Sequence, residues 1–284
     1  MLKWLIKLID LILYSNLWIA LGALAMGFQT QLFLFGKIQY TPYLPFLFCG
    51  TLFLYALHRI VGLQKAAPFQ DKGRYWVIAT FKSHIQLYAA LSAIAGAFFF
   101  FQLPLSIRLS LFAPALLSLA YVVPVFRGKK RLRDFHFIKI FLIAFVWTWL
   151  TVIMPALVYG LELQLCTVLM GLERLCFIFA ITLPFDIRDL EIDRFNKVKT
   201  IPLRLGIRKS KATALVFLAM ALLFAWLNYY TMGISFGLWM AYGLSCLLTA
   251  GLIVKSSPSR HDYFYTGLLD GTMIFQFVLV YYFS

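Results

Sequence analysis

The stretch LCFIFAITLPFDIRDLEIDR, residues 175–194, passes from an apolar run directly into a densely charged one. Four of the chain's eleven acidic residues fall within its last nine positions, namely Asp186, Asp189, Glu191 and Asp193. Ionisable groups clustered at the end of an apolar run are typical of membrane helices that carry a functional site. The stretch therefore predicts a membrane-spanning helix with a carboxylate cluster at one end.

The composition of the whole chain agrees with this prediction. Hydrophobic residues make up 62% of the 284 residues and charged residues only 13%, whereas soluble domains carry about 25% charged residues. Windows of about 17 to 25 apolar residues are long enough to cross a bilayer. Nine such windows lie at 13–34, 42–62, 84–103, 105–126, 136–159, 163–185, 211–230, 234–254 and 263–282. We predict an all-α, polytopic membrane protein with about nine transmembrane helices in a single domain, residues 1–284.

The basic residues predict how the chain is oriented. Of the 26 Lys and Arg residues, 23 fall in alternate connections, and the exceptions are Lys37, Arg108 and Arg174. Because Lys and Arg concentrate in cytoplasmic loops, we expect a cytoplasmic (inner) membrane protein with its N-terminus in the cytoplasm and its C-terminus outside. Topology then explains the net charge of +15, so membrane lipids are expected partners and nucleic acid is not. The four cysteines fall in predicted spans, where we expect packing residues rather than disulfides.

The acidic cluster has the spacing of a cation site. Asp186, Asp189 and Asp193 are spaced i, i+3, i+7, which on one helix holds all three carboxylates within an arc of roughly 60°. Like charges on one stripe repel unless a cation or water compensates them, and oxygen-only ligands suit Mg²⁺. Basic residues downstream, Lys199 among them, would neutralise a diphosphate. The plainer alternative is a solvated loop of mixed charges.

The run from Asp186 to Gly206 resembles the second aspartate-rich motif of the UbiA superfamily of intramembrane prenyltransferases. Asp189, Asp193, Lys199, Thr200 and Leu205-Gly206 match that motif. The resemblance implies a UbiA-type helical bundle in which Mg²⁺ holds a prenyl diphosphate. It also implies transfer of the isoprenoid group to a hydrophobic acceptor, such as an aromatic quinone precursor.

The first motif of that superfamily is missing from its expected place. The resemblance implies Asn and Asp residues at the end of the second helix, but residues 54–65 read LYALHRIVGLQK. Our hypothesis is a remodelled half-site in which Asp186, Asp189 and Asp193 hold one Mg²⁺. The diphosphate would be bound by Arg59, Lys65, Arg74 and Lys199, with inner loops at about 63–83 and 186–210 capping the active site. The plainer interpretation makes His58 an interfacial residue and Arg59 a topology signal.

Three functional hypotheses stay open. The first is a Mg²⁺-assisted prenyltransferase, for which no catalytic group is singled out. The second is a non-catalytic relative that binds an isoprenoid lipid or a partner protein. The third is a transporter, since Glu173 and Arg174 fall inside the sixth window and buried charges mark transport pathways. Asp270, in the ninth window, is expected to bond a neighbouring helix rather than to bind a ligand.

Overall fold

The structure is a computed structural model that describes residues 2–65, 73–126, 130–161 and 164–284. Side chains are described throughout these ranges except at positions 2, 3, 5–7, 64, 65, 73 and 232. The α-helices are α1 (Leu2–Tyr14), α2 (Leu17–Phe35), α3 (Tyr43–Lys65), α4 (Gly73–Thr80), α5 (Lys82–Gln102), α6 (Leu105–Ser110), α7 (Phe112–Val122), α8 (Ile138–Thr148), α9 (Met154–Val158), α10 (Leu165–Arg188), α11 (Leu190–Phe195), α12 (Ile201–Met232), α13 (Phe236–Lys255) and α14 (Asp270–Phe283). A 3₁₀ turn covers Leu132–Asp134, and π-helical turns cover Trp149–Ile153 and Phe264–Leu269.

The predicted all-helical membrane architecture is confirmed. Within the described ranges, nine helical segments are long and apolar enough to span a bilayer, and each coincides with a predicted window. The fourth span joins α6 to α7, the fifth runs from α8 through the π turn to α9, and the ninth joins the second π turn to α14. All four cysteines are free, as expected.

The first predicted window begins too early. The chain forms α1 as a separate helix, and the break falls at Asn16, which adopts a left-handed conformation with φ 69°. Asn tolerates this region better than most residues because its short polar side chain bonds locally. The first span therefore begins at Leu17, and Leu13 and Tyr14 belong to the helix that precedes it.

The predicted inner loop at 186–210 is largely helical, and the run that carries the three aspartates is divided between two helices. Helix α10 ends at Arg188, Asp189 leaves the helical region, and α11 begins at Leu190. Helix α12 begins at Ile201 and contains a break at Gly206, whose φ of +79° is available to glycine without strain. Asp186 therefore lies in α10 and Asp193 in α11, with Asp189 at the junction between them.

The core forms around α10. Phe177, Ala180 and Leu183 of this helix are fully buried, and α10 packs mainly against α12 and α8. Helix α2 packs on α14, where Gly22 admits the Met273 side chain; a Cβ on Gly22 would lie 3.1 Å from it. Small residues at such seams let membrane helices approach closely. The N-terminal end of α2, the C-terminal ends of α3 and α10 and the connection before the last span meet at one end of the bundle, which we call the basic end.

Candidate functional site

A cavity of about 300 Å³ extends from the basic end into the bundle. Its inner part is lined by apolar and aromatic side chains: Trp18, Leu54, Tyr55, Leu142, Ile143, Val146, Trp147, Ile178, Ile181 and Met273. Its mouth is lined by charged ones: Arg59, Arg74, Arg131, Arg133, Asp134, Lys139, Arg188, Asp189, Asp193 and Asp262. The cavity thus connects an apolar interior to a charged entrance.

Two arginines and two aspartates form an ion-pair network at the mouth. Asp189 Oδ1 accepts hydrogen bonds of 2.8 Å from both Arg74 Nη2 and Arg188 Nε. Asp262 Oδ1 lies 2.7 Å from Arg188 Nη1 and 3.5 Å from Arg74 Nη1. The network ties α4 to the end of α10 and to the connection before the last span.

The two cavity aspartates of the predicted motif differ in ionisation. Burial alone would raise the pKa of Asp189, but Arg188 and Arg74 hold it well below its usual range. Burial raises the pKa of Asp193 to about 6, partly offset by Lys139, while Asp189 and Asp186 add to the increase. Asp189 is therefore held as an anion, whereas the raised pKa of Asp193 favours its protonated form below about pH 6.

Asp186 does not line the cavity. Its side chain is buried, and Oδ1 lies 2.5 Å from Lys139 Nζ in a salt bridge between α10 and α8. The same ammonium group lies 3.8 Å from Asp193 Oδ2. Lys139 thus stands between two of the three aspartates predicted to share a cation.

Cationic and aromatic groups occupy the position of the missing acidic motif. Arg59 donates to the Leu13 carbonyl at 3.1 Å and lies over the Tyr14 ring. Arg133 contacts His58 and lies over the Tyr121 ring at 5.2 Å. Among the described carboxylates, none is within ion-pair distance of Arg59 or Arg133. Both guanidinium groups thus reach the mouth without a direct ion pair in the described part of the chain.

The structure brings together some of the predicted diphosphate-binding residues. Arg59 and Arg74 line the mouth. Lys199 is exposed and lies outside the cavity lining, beside a small recess that also contains Asp186. The side chain of Lys65 lies outside the described residues, as does residue 71, the one acid of the predicted cap loop.

Sequence reasoning did not select Arg133, Arg188 or Asp262. Arg188 lies inside the acidic motif, so its position next to Asp189 was a usable signal. Arg133 stands in a basic loop and Asp262 in a short connection, where nothing local separates them from ordinary surface charges. Their roles depend on contacts across the bundle.

Two other ionisable sites lie within the membrane spans. Glu173 and Arg174 lie away from the cavity: Tyr242 donates its hydroxyl to Glu173, and Arg174 Nη1 donates to Thr151 Oγ1 at 2.9 Å. Asp270 lines the cavity, and the hydrogen bond expected between it and a neighbouring helix is absent from the described residues.

The mouth partly fits a divalent cation. Among the described residues, no three His, Cys, Asp or Glu side chains converge on one metal position. However, one carboxylate oxygen of Asp193 and one of Asp262 are buried without a hydrogen-bond partner in the described part of the chain. Carboxylate oxygens are ligands that Mg²⁺ accepts, usually one or two together with water and substrate oxygens. One oxygen of each carboxylate, Asp193 Oδ2 and Asp262 Oδ2, therefore has unfilled acceptor capacity. The other Asp262 oxygen is held by the same two arginines as Asp189, and Asp193 Oδ2 lies 3.8 Å from Lys139 Nζ.

Fold and site define a polytopic membrane protein whose buried cavity pairs an apolar interior with a charged mouth. The sequence model of the UbiA prenyltransferase family matches residues 80–270, and the chain belongs to that family. The resemblance drawn from residues 186–206 is confirmed. The matched region begins after His58 and Arg59, which stand where the first motif was expected.

Solved structures show the same fold. A UbiA homolog from Archaeoglobus fulgidus bound to GPP and Mg²⁺ aligns with a TM-score of 0.66 at 11% identity, covering 96% of this chain and 99% of the other. A UbiA homolog from Aeropyrum pernix K1 aligns with a TM-score of 0.58 at 15% identity, covering 95% and 94%. A digeranylgeranylglyceryl phosphate synthase structure gives 0.58 at 13% identity, covering 96% of both chains. Comparison with curated proteins gave no match.

Proposed function

We propose that this protein is an intramembrane prenyltransferase that moves an isoprenoid group from a prenyl diphosphate to a lipophilic acceptor. The observation that carries the proposal is a pair of guanidinium groups, Arg59 and Arg133, at the mouth of an apolar cavity, neither of which has a described carboxylate within ion-pair distance. A prenyl diphosphate has the matching shape, an anionic head on a long apolar tail. The GPP and Mg²⁺ bound by the Archaeoglobus fulgidus homolog support this choice of ligand.

The diphosphate would bind to the arginines of the mouth. Arg59 and Arg133 have no carboxylate within ion-pair distance among the described residues, and the planar guanidinium group suits bidentate contact with phosphate oxygens. Arg74 and Arg188 are held by Asp189 and Asp262, and each has further N–H donors with which to contact phosphate. Lys65 and Lys199 remain proposed contacts, although Lys199 would have to turn inward from its exposed position.

Asp193 and Asp262 are the residues that we propose to hold Mg²⁺, with Asp189 beside them and Asp186 behind Lys139. A divalent cation there supplies charge neutralisation to the leaving diphosphate. The chain's own part is to place arginines around the same oxygens and to keep the reacting carbon in a water-poor cavity. The C1–O bond of the prenyl diphosphate breaks, and its electron pair leaves with the diphosphate. Aromatic faces such as those of Trp18, Tyr55 and Trp147 favour the positive charge left on the prenyl carbon.

A second function is favoured by one observation, the replacement of the first acidic motif by His58 and Arg59. A protein that has lost half of its metal site but retains a cavity for an isoprenoid tail would be a binding protein. Its ligand affinity would survive removal of the metal. The contacts of Glu173 and Arg174 lie within the packed helices and do not favour a transporter.

The first experiment measures pyrophosphate release in lipid nanodiscs, with geranylgeranyl and farnesyl diphosphate, with and without Mg²⁺. We expect Mg²⁺-dependent release that falls at least about 100-fold in Asp193→Asn, because a ligand of the ion that stabilises the leaving group is lost. Arg59→Gln and Arg133→Gln should each raise the substrate concentration needed for half-maximal release. Arg208→Gln is the matched control, since Arg208 is exposed and lies outside the cavity.

Prenyl diphosphate that binds with equal affinity with and without Mg²⁺, with no release in the presence of candidate acceptors, would support the binding protein instead. Release that is unchanged in Asp193→Asn would contradict the proposed metal site.

A further inference from the structure

Asp270 is a carboxylate in the inner part of the cavity that the diphosphate site does not use. It is partly buried, lines the cavity beside Met273, and has no hydrogen-bond or ion-pair partner among the described residues. An ionisable group at this depth in a membrane bundle is costly unless it serves a ligand or a water-filled space. Asp270 therefore needs an explanation beyond packing.

The backbone before Asp270 is irregular. The π-helical turn Phe264–Leu269 ends where α14 begins with Asp270. π-Turns insert an extra residue into a helix and are frequent at functional sites because they redirect the side chains that follow. Here the turn precedes the side chain that reaches the cavity.

Asn16 faces the same cavity from the adjoining helix. It is 1% exposed, and neither its amide nitrogen nor its carbonyl oxygen has a hydrogen-bond partner in the described part of the chain. The start of α2 runs beside the start of α14, since Trp18 Nε1 donates to the Gly267 carbonyl at 3.0 Å. A Cβ on Gly271 would lie 3.3 Å from the Trp18 ring. This close seam places Asn16 and Asp270 on neighbouring walls.

Tyr55 adds a donor to the cavity wall. Its hydroxyl oxygen accepts a hydrogen bond of 3.3 Å from Trp147 Nε1 and donates to no other described residue. The inner cavity thus offers three polar groups among apolar side chains. The Asp270 carboxylate accepts hydrogen bonds, the Tyr55 hydroxyl can donate one, and the Asn16 amide can donate and accept. This is the usual composition of a small-molecule pocket, where few polar groups fix the orientation of a ligand.

We infer that Asp270, Asn16 and Tyr55 form an acceptor site that recognises a hydroxyl group on the lipophilic co-substrate. The inference rests on the proposed function. The acceptor hydroxyl donates to Asp270 and accepts from Asn16 or Tyr55. As the new bond forms between the acceptor and the prenyl carbon, the proton that the acceptor loses passes to the Asp270 carboxylate and from there to water. Asp270 selects hydroxyl-bearing acceptors over their ethers.

The test uses a brominated alkylphenol and its O-methyl ether as probes, with the full-length protein in nanodiscs. Bromine quenches tryptophan on close approach, and Trp18 and Trp147 line the cavity. After correction for partition into lipid, we expect the phenol to bind about tenfold more tightly than the ether, the size of one charge-assisted hydrogen bond. In Asp270→Asn and Asp270→Ala the ratio of the affinity for the phenol to the affinity for the ether should fall to about one.

Glu173→Gln is the matched control, because it removes a buried carboxylate that faces away from the cavity. Its phenol preference should stay at the wild-type value. In Asp270→Asn prenylation of the phenol should be lost, whereas Glu173→Gln should retain it.

The outcomes separate the two proposals. A phenol preference that is the same in wild type and both Asp270 variants overturns the hydroxyl site, whatever the release assay gives. A preference that depends on Asp270 in a protein that never releases pyrophosphate upholds the hydroxyl site and refutes the transferase.

Discussion

Asp193 is a side chain whose ionisation should be visible in the stability of the protein. Burial raises its pKa to about 6 in the folded state, whereas an unfolded Asp titrates at about 3.9. The folded protein therefore holds this proton to higher pH. Stability of the metal-free protein should fall as pH rises from about 4 to about 6, by about 3 kcal/mol at most. Thermal unfolding in detergent with a chelator, compared with Asp193→Asn, measures this contribution.

The Asp193→Asn variant lacks the titrating group. Its free energy of unfolding should therefore increase relative to that of the wild type as pH rises from about 4 to about 6. Added Mg²⁺ should reduce the gap above pH 6, because a bound cation favours the ionised carboxylate. If wild type and variant differ in stability by the same amount at pH 4.5 and at pH 7, the raised pKa of Asp193 is refuted.

The Lys139–Asp186 pair tests whether Asp186 is a metal ligand. Lys139→Met alone leaves the Asp186 carboxylate buried without its partner, which costs about 3 to 5 kcal/mol. The double variant Lys139→Met/Asp186→Leu replaces the pair by apolar side chains of similar volume and should recover most of that stability. Unfolding of the two variants in detergent measures the recovery. If the double variant retains Mg²⁺-dependent release, Asp186 is structural; loss of release in a stable double variant would favour the predicted three-aspartate site.

Among the secondary-structure elements, the π turn Trp149–Ile153 depends on partners in other helices. The Leu150 carbonyl accepts from the Tyr43 hydroxyl at 2.5 Å, and the Thr151 carbonyl accepts from Thr30 Oγ1 at 2.6 Å. The hydrocarbon region of a bilayer offers no water to replace such a hydrogen bond. Tyr43→Phe should therefore lower stability by about 1 kcal/mol. Thermal unfolding in detergent measures the loss, and Tyr40→Phe, at a tyrosine 77% exposed, should be neutral.

Across the whole molecule, the distribution of Lys and Arg predicts that the basic end faces the cytoplasm. In a chain whose four native cysteines are replaced by Ala, Lys37→Cys and Lys255→Cys place one thiol at each end of the bundle, both at exposed positions. An impermeant thiol reagent applied to intact cells should label Lys37→Cys, and should label Lys255→Cys only after permeabilisation. The reverse pattern would mean that the site faces outward.

The acidic motif shows how far sequence reasoning reached at the site. Asp189 and Asp193 follow an apolar span and line the cavity mouth. Asp186 belongs to the same motif, but its carboxylate is bound by Lys139 of α8 and lies outside the cavity lining. Asp193 lies 3.8 Å from the same ammonium group, whereas Asp189 is bound by Arg74 and Arg188. Nothing local in the sequence marks these partners.

The spans and the alternation of basic connections follow from the sequence because hydropathy and charge act locally, through the cost of placing each segment in lipid or water. The partners of the charged groups do not follow from the sequence. Arg74 reaches Asp189 across 115 positions, and Arg188 reaches Asp262 across 74. Asp270 and Asn16 meet one cavity from opposite ends of the chain. Which charge is paired and which stays available for a ligand depends on helix packing, because ion pairs and hydrogen bonds act over a few ångströms and packing sets those distances.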